Sequence, residues 1–188
     1  MKAIQTGIDG LLVLEPRVFG DSRGFFLESW NEREFCKVIG FNTHFVQDNH
    51  SRSSRAVLRG LHYQQKNPQG KLVRVVSGAV WDVAVDLRID SQSFGQSFGC
   101  ELSAENHRQL WIPPGFAHGF GTFNARFDAL VALEGWVEKG QAPKGLTAMD
   151  ANQGANRTRP LCEYPAWPKF TGAAGTENNA ASYTCVRE

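Results

Sequence analysis

Alternating hydrophobic and polar residues over the first 122 positions predict a series of short β-strands. In residues 80–88 three apolar side chains fall on one face and Asp82, Asp86 and Arg88 fall on the other, the period of two that indicates a half-buried strand. Residues 72–76 precede it, and the intervening Ser77-Gly78 predicts a hairpin between the two. The same patterns predict strands at 11–15, 24–30, 44–51, 57–64, 97–102 and 109–112, and one helix at 32–38. Such a series is typical of a β-sandwich or barrel, including the double-sheet jelly roll.

The pattern changes near Thr122. Asn124 is a suitable N-cap for a helix that carries Phe127, Leu130, Val131 and Val137 on roughly one face and ends at Gly140. Residues 141–188 are loop-like and rich in Gly, Asn and Pro. We therefore expect an all-β domain over residues 1–122, followed by a helix and an irregular tail over residues 123–188.

Composition narrows the class of protein. The chain has 188 residues, of which 41% are hydrophobic, enough for one soluble domain with a sizeable core and an appendage. The formal net charge is +1, so no global field favours nucleic acid or an anionic membrane as a partner. The longest apolar run near the N-terminus, residues 11–14, is too short for a signal peptide or a membrane span, which predicts a cytoplasmic protein.

The four cysteines divide into two pairs. Cys36 and Cys100 lack the spacing of a metal site and are expected to be buried, reduced thiols. Cys162 and Cys185 lie in the tail, where little apolar content is available to hold the chain together. A disulfide between them is expected if the chain meets oxidising conditions.

One cluster of residues suggests proton-transfer chemistry. Arg59 and His62 lie close together on a predicted strand beside Gly60, and Lys71 begins the next strand. Arg and Lys are natural partners of a phosphate or a developing enolate, and His is the side chain best suited to move a proton near neutral pH. The cluster predicts carbanion chemistry on a phosphorylated substrate, whereas His62 taken alone would be read as structural.

Two further segments could bind such a substrate. Arg23 lies in a turn beside two aromatic residues and could hold a pyrophosphate, while Phe26 packs on a base and Glu28 accepts a hydrogen bond. The competing interpretation is an exposed arginine beside two core phenylalanines. Gln47 and Asn49 add hydrogen-bonding groups on another predicted strand.

A stiff turn at residues 111–117 delivers His118 to the start of a strand. In a jelly roll this position can face the mouth of the barrel, which would make His118 a ligand contact. A packed core histidine fits the same position.

Five motifs, in order and spacing over about 120 residues, resemble the dTDP-4-dehydrorhamnose 3,5-epimerases. They are residues 23–28 (RGFFLE), 47–49 (QDN), 58–64 (LRGLHYQ), 70–74 (GKLVR) and 113–120 (PPGFAHGF). The resemblance implies a metal-free, cofactor-free cupin jelly roll, usually a homodimer, that epimerises C3 and C5 of dTDP-4-dehydro-6-deoxy-D-glucose. It implies His62 as the proton acceptor. The chemistry of the reaction adds that a cation such as Lys71 can stabilise the enolate. The positions that match residues holding nucleotide, pyrophosphate and sugar are Arg23, Glu28, Gln47, Asn49, Arg59, Lys71 and His118.

The chain departs from this family in its last third. The position that matches the family's proton-donating tyrosine falls near Val131, and no tyrosine lies between Tyr63 and Tyr164. The later segment with the aspartate that pairs with the catalytic histidine is also missing. Instead, residues 127–143, 157–165 and 183–185 resemble the end of a tannase or feruloyl esterase, without its nucleophile.

Three interpretations stay open at this point. The chain is an epimerase, intact or impaired by its altered C-terminal third, or it is a non-catalytic nucleotide-sugar-binding or hybrid chain. The third, a metal-dependent cupin, requires a His-x-His pair, whereas His62 is followed two positions later by Gln64.

Overall fold

The computed structural model describes residues 1–54, 57–122, 125–126, 140, 144–150, 156–163 and 166–187, with the backbone alone at 125–126. The strands are β1 Lys2–Gln5, β2 Leu12–Glu15, β3 Val18–Asp21, β4 Gly24–Leu27, β5 Leu58–His62, β6 Lys71–Arg74, β7 Ala79–Asp86, β8 Ser97–Ser103, β9 Gln109–Ile112, β10 Phe116–Gly121, β11 Ala125–Arg126, β12 Thr147–Asp150, β13 Thr158–Pro160, β14 Trp167–Phe170 and β15 Tyr183–Val186. The helix α1 is Glu32–Ile39, and a short 3-10 helix spans Ala180–Ser182. The predicted helix around Val131 lies outside the described residues.

The chain divides into two compact units, residues 1–54 with 59–120, and residues 55–58 with 121–188 as far as they are described. The first unit contains most of two four-stranded sheets, of strand order β1-β2-β9-β6 and β5-β10-β7-β8. Side chains of both sheets share one apolar cluster, which includes Val13 and Leu110 from the first sheet and Ala84 and Leu102 from the second. This two-layer arrangement of short antiparallel strands is the predicted sandwich.

Helix α1 covers the other face of the first sheet. Asn31 caps it by accepting a hydrogen bond from the backbone N–H of Glu34, and Gly40 ends it in the left-handed conformation with φ 85°. Phe35 is fully buried and packs edge-on against Trp111 of β9 at 5.1 Å between ring centroids. Strand β2 is therefore buried on both faces, which explains the continuous apolar run at residues 11–14.

Three sequence predictions are wrong in detail. Residues 44–51 contain no strand, because Val46 is 87% exposed and the segment has no buried face to pair with a sheet. The hairpin predicted around Ser77-Gly78 does not form, since β6 pairs with β9 and β7 pairs with β8. The connection between β6 and β7 instead carries the chain from one layer to the other.

The third correction concerns strand β7, whose polar face was expected in solvent. Asp82 and Asp86 are fully buried with Ala84 between them, whereas Val83 on the opposite face is only partly buried. The two-layer packing turns the aspartates inward, and each is compensated by partners that the alternation alone cannot reveal.

The second unit contains more strand than the loop-like sequence suggested. Strands β11, β12 and β13 form one antiparallel sheet, and β14 and β15 form another. Cys162 and Cys185 are joined in a disulfide, as the sequence predicted for oxidising conditions. The guanidinium of Arg159 lies 4.5 Å from the ring centroid of Tyr183, so a cation–π contact adds to the disulfide. Small clusters and a covalent link thus stabilise a segment with few apolar residues.

Candidate functional site

The predicted base lies on strand β5, at the edge of the second sheet next to β10. His62 is the last residue of β5, and Arg59 lies three positions before it. Burial lowers the pKa of the His62 imidazole, and the charges of His118 and Arg59 lower it further. His62 is therefore neutral at neutral pH, the state in which an imidazole accepts a proton.

Strand β10 places a second histidine beside this base. His118 lies on β10, and its Nε2 atom is 2.9 Å from Oδ1 and 3.0 Å from Oδ2 of Asp82 on β7. The carboxylate of Asp82 is fully buried and the side chain of His118 is 12% exposed. Sequence reasoning missed Asp82, because it assigned this residue to the solvent-facing side of its strand.

Glycines bring these two strands close together. A Cβ atom at Gly119 would lie 2.6 Å from the carbonyl oxygen of Arg59, and one at Gly60 would lie 2.5 Å from Cα of Gly119. No larger residue fits at either position without a backbone shift. The glycines therefore position Arg59, His62 and His118 side by side on adjacent strands.

Lys71 begins strand β6 of the other sheet, opposite Ile112 in the register. Its Nζ atom donates to the carbonyl oxygen of Gln69 at 3.3 Å, and partial burial lowers its pKa. An ammonium group that is partly desolvated interacts more strongly with a nearby negative charge. This suits the stabilisation of an enolate oxygen.

The remaining predicted ligands lie on two exposed segments. Arg23 is in the tight turn between β3 and β4, where its guanidinium forms an ion pair with Asp21 at 2.5 Å and lowers the pKa of that carboxyl. Phe26 on β4 is 70% exposed, and Glu28 just beyond it accepts a hydrogen bond from Asn31 at 3.0 Å.

Gln47 and Asn49 lie in the non-regular segment after α1, where the Gln47 amide donates to Asn49 at 2.9 Å. Arg59 donates from Nε to Ser53 Oγ at 3.0 Å and from Nη2 to the Arg52 carbonyl at 3.2 Å. The structure thus groups Arg59, His62 and His118, while the hairpin residues and the 47–49 pair form separate sets.

Some expected partners are missing from the described residues. Within these ranges His62 has no hydrogen-bonded carboxylate, and no three His, Cys, Asp or Glu side chains are grouped to hold a metal ion. Among the described helices, none combines the length and apolar character needed to cross a membrane. Val131, the position that matches the family's proton-donating tyrosine, lies outside the described residues.

The fold and the cluster define a class of protein, a cupin-type jelly roll with a neutral histidine beside cationic groups suited to phosphate and enolate. Family-model comparison matches residues 5–154 to dTDP-4-dehydrorhamnose 3,5-epimerase. The chain belongs to this family.

Individual relatives agree with this assignment. The Pseudomonas aeruginosa dTDP-4-dehydrorhamnose 3,5-epimerase is 62% identical over 120 residues, covering 64% of this chain and 66% of the relative. The Sinorhizobium fredii dTDP-4-dehydrorhamnose 3,5-epimerase is 39% identical over 172 residues, covering 90% of this chain and 82% of the relative. Against the Pseudomonas relative, the chain therefore matches just under two thirds of the relative's length.

Solved structures show the same fold. The Legionella pneumophila dTDP-6-deoxy-D-glucose-3,5-epimerase in complex with dTDP-4-keto-L-rhamnose matches with a TM-score of 0.62 and 55% identity, over 64% of each chain. The Bacillus anthracis dTDP-4-dehydrorhamnose 3,5-epimerase with TDP and pyrophosphate bound matches with a TM-score of 0.60 and 51% identity, over 64% of this chain and 69% of that one.

Proposed function

We propose that this chain is an isomerase that removes the C3 and C5 protons of dTDP-4-dehydro-6-deoxy-D-glucose, on the route to dTDP-4-dehydro-L-rhamnose. The observation that carries the proposal is the neutral His62 beside Arg59 and His118 in a family of dTDP-sugar epimerases. No metal or cofactor is needed, because the C4 ketone of the substrate itself acidifies the neighbouring C–H bonds.

In the proposed mechanism the imidazole of His62 accepts the proton from carbon, and the electron pair moves onto the C4 oxygen as an enolate. The ammonium group of Lys71 stabilises that oxygen. A proton is then returned to the same carbon. Arg23, Phe26, Glu28, Gln47, Asn49 and Arg59 hold the nucleotide, its pyrophosphate and the sugar.

Proton exchange in deuterated water tests the base directly. Deuterium should enter C3 and C5 of the dTDP-4-keto sugar, and His62→Asn should lower that rate by about 10² to 10⁴-fold. His44→Asn is the matched control, because His44 is exposed and, among the described residues, pairs with Glu32 alone, at 3.2 Å. Equal exchange by the parent chain and His62→Asn would overturn the assignment of the base.

The second candidate function is nucleotide-sugar binding without turnover. It is favoured by the lack of a carboxylate partner for His62 within the described residues and by the sequence, which has no tyrosine between Tyr63 and Tyr164. In that case dTDP would stabilise the fold by about 2.7 kcal/mol at a hundredfold excess over its dissociation constant, with no exchange. Arg23→Ala should weaken this stabilisation, whereas Arg33→Ala on the exposed face of α1 should not.

We also propose that the chain acts as a homodimer. The β3–β4 hairpin is hydrogen-bonded to neither four-stranded sheet and exposes Phe19 by 50% and Phe25 by 63%. A two-stranded hairpin is marginal alone, and an exposed aromatic surface of this kind marks an interface. Phe19→Ser should shift the sedimentation behaviour from dimer to monomer, and a parent chain that sediments as a monomer would refute the proposal.

Two further points rest on the sequence. We propose a division of the chain near residue 122, into the jelly roll and a C-terminal addition.

We propose the cytoplasm as the compartment, since a nucleotide sugar is the substrate. The Cys162–Cys185 disulfide is the opposing observation, because such links are rare there. Intact mass of the protein isolated from the cytoplasm with thiols blocked will show whether the link forms in that compartment.

A further inference from the structure

The guanidinium of Arg59 is held along one edge by the segment that precedes strand β5. Its Nε atom donates to Oγ of Ser53 at 3.0 Å, and its Nη2 atom donates to the carbonyl oxygen of Arg52 at 3.2 Å. The two acceptors come from consecutive residues, six and seven positions before Arg59. They meet the two donors as the two oxygens of a carboxylate would, so together they fix the plane of the guanidinium.

These acceptors are neutral, which distinguishes Arg59 from the arginines that form structural ion pairs. Arg88 pairs with Asp86 at 2.7 Å, and Arg108 pairs with Glu15 at 3.0 Å. Among the residues that the structure describes, Arg59 forms no ion pair with a carboxylate. The structure therefore orients the Arg59 side chain without neutralising its charge.

The opposite edge of the Arg59 guanidinium stays open. A guanidinium carries one N–H on Nε and two on each Nη. The contacts with Ser53 and Arg52 use the Nε–H and one Nη2–H, which share an edge. Within the described part of the chain, Nη1 has no hydrogen-bond acceptor. The Nη1–H and the second Nη2–H thus form a free fork of the kind that binds two oxygens of a phosphate.

The same contact joins two sets of predicted ligands within the first unit. Ser53 lies in the non-regular segment that also carries Gln47 and Asn49, whereas Arg59 lies on the strand that carries His62. Ser53 is half-buried and Arg59 is exposed. An exposed arginine that is free to move loses side-chain entropy when it binds a ligand, and an arginine that is already oriented loses less.

We propose that Ser53 is a positioning residue for the substrate, whose Oγ holds Nε of Arg59 so that the Nη1–Nη2 fork meets the pyrophosphate of the dTDP sugar. This rests on the proposed function above, in which Arg59 is one of the residues that hold the substrate. Ser53 acts through Arg59 and does not touch the substrate. Ser53→Ala therefore keeps the charge of Arg59 and removes its direction.

The first test requires no substrate. In spectra of the protein with ¹⁵N-labelled arginine, the Nε–H of Arg59 should exchange with water more slowly in the parent than in Ser53→Ala, because the hydrogen bond to Oγ protects it. Arg59→Lys lacks this signal and so assigns it. Equal exchange of the Nε–H in the parent and Ser53→Ala would overturn the proposal.

The second test compares two ligands that differ by the pyrophosphate. Ser53→Ala should weaken dTDP binding by about 3- to 10-fold, the effect of one hydrogen bond, and leave thymidine binding unchanged. Ser53→Thr retains a hydroxyl and should restore the affinity for dTDP. The control Ser77→Ala, at an exposed position between β6 and β7, should match the parent. An equal loss of affinity for dTDP and thymidine would indicate a general distortion of the site and refute the assignment.

The third test asks whether Ser53 acts through Arg59. In an Arg59→Ala background, Ser53→Ala should cause no further loss of dTDP affinity, since the group that it positions is gone. In deuterium exchange on the dTDP-4-keto sugar, Ser53→Ala should raise the half-saturating concentration by the same 3- to 10-fold and change the maximal rate by less than about twofold. The same loss of affinity in both backgrounds would show that Ser53 acts independently of Arg59, contrary to the proposal.

The outcomes separate this inference from the proposed function. If the parent exchanges deuterium and Arg59→Ala weakens dTDP binding while Ser53→Ala matches the parent, the role of Ser53 is refuted and the proposed function stands. If the parent binds dTDP without exchanging deuterium, the proposed isomerase fails, and the comparison of dTDP with thymidine still decides the role of Ser53. A parent chain that does not bind dTDP would overturn both.

Discussion

Removing the carboxylate of Asp86 should destabilise the first unit strongly. Asp86 ends strand β7, is fully buried and accepts hydrogen bonds from Arg88 Nε at 2.8 Å and Nη2 at 2.7 Å. The hydroxyls of Ser91 and Ser93 each donate to it at 2.7 Å. Arg88 in turn lies 4.7 Å from the ring centroid of Phe116, so the network connects the turn after β7 to the core.

The expected size follows from what Asp86→Ala leaves behind. Breaking a buried pair by removing one partner costs about 3 to 5 kcal/mol. The side chain of Arg88 is 29% exposed and regains part of its hydration, which favours the lower end, about 3 kcal/mol. For a chain of this size that corresponds to a fall in Tm of roughly 6 to 12 °C. Urea and thermal unfolding of the parent and the variant measure it.

The effect should also depend on pH with a defined sign. Burial alone would raise the pKa of Asp86, but the hydrogen bonds from Arg88, Ser91 and Ser93 outweigh it, and the folded pKa lies well below the ordinary value. The stabilisation is therefore complete above the unfolded pKa of about 4 and is lost as the pH falls toward the folded pKa. The difference in free energy of unfolding between the parent and Asp86→Ala should therefore shrink from pH 6 to pH 2.

Asp90→Ala is the control, since Asp90 is exposed in the following turn and should change stability by less than about 0.5 kcal/mol. If Asp86→Ala lowers the free energy of unfolding by less than about 1 kcal/mol at pH 7, the hydrogen-bond network around Asp86 does not stabilise the first unit as argued. A difference that grows as the pH falls would refute the sign of the pKa argument.

Three further outcomes are expected. The rate of proton exchange should rise with pH through a midpoint below the ordinary histidine value and then level off, because the pKa of His62 is lowered; a midpoint above that value in a pH profile would contradict it. Reduction of the Cys162–Cys185 disulfide should lower the free energy of unfolding of the second unit by about 3 kcal/mol, measured with denaturant. An unchanged unfolding midpoint after reduction would contradict this stabilising role. Gly119→Ala should lower the free energy of unfolding by about 1 to 3 kcal/mol and slow proton exchange. Gly20→Ala should change neither quantity, because the nearest atom to a Cβ there lies at 3.8 Å. Equal behaviour of the two variants would argue against the close approach of strands β5 and β10.

Local chemistry made some elements predictable from sequence. Helix α1 begins and ends beside a good N-cap, Asn31, and a glycine that adopts a positive φ, Gly40, so its position was predicted to within a residue. Strand β9 was predicted with its observed bounds, since all four of its residues are buried. The strand predicted at residues 44–51 was wrong. Phe45 packs against the ring of Trp111 while Val46 lies in solvent, and apolar content alone does not distinguish the buried residue from the exposed one.

The candidate site was only partly predictable for a different reason. Arg59, His62 and His118 were predicted because their residue types and motifs indicate their chemistry, and the structure places them on neighbouring strands. Asp82 was missed because alternation assigns residues to two faces without showing which face is inward, and Ala84 gives little hydrophobic signal. The compensation of Asp82 comes from His118, 36 positions away, which no local pattern contains.

The proton donor determines how far the reaction can proceed. Epimerisation needs an acid on the face of the sugar opposite the base. His62 and His118 lie on adjacent strands of one sheet, and we propose that both act from one side of the sugar. Tyr183 is occupied by other contacts, since its hydroxyl donates to the Glu177 carbonyl at 2.9 Å and Arg159 covers its ring. Loss of one general acid costs about 10² to 10⁴-fold. Deuterium should therefore enter C3 faster than the L-configured sugar appears, as followed by NMR of one reaction, and equal rates would mean that a group on the opposite face serves as the acid.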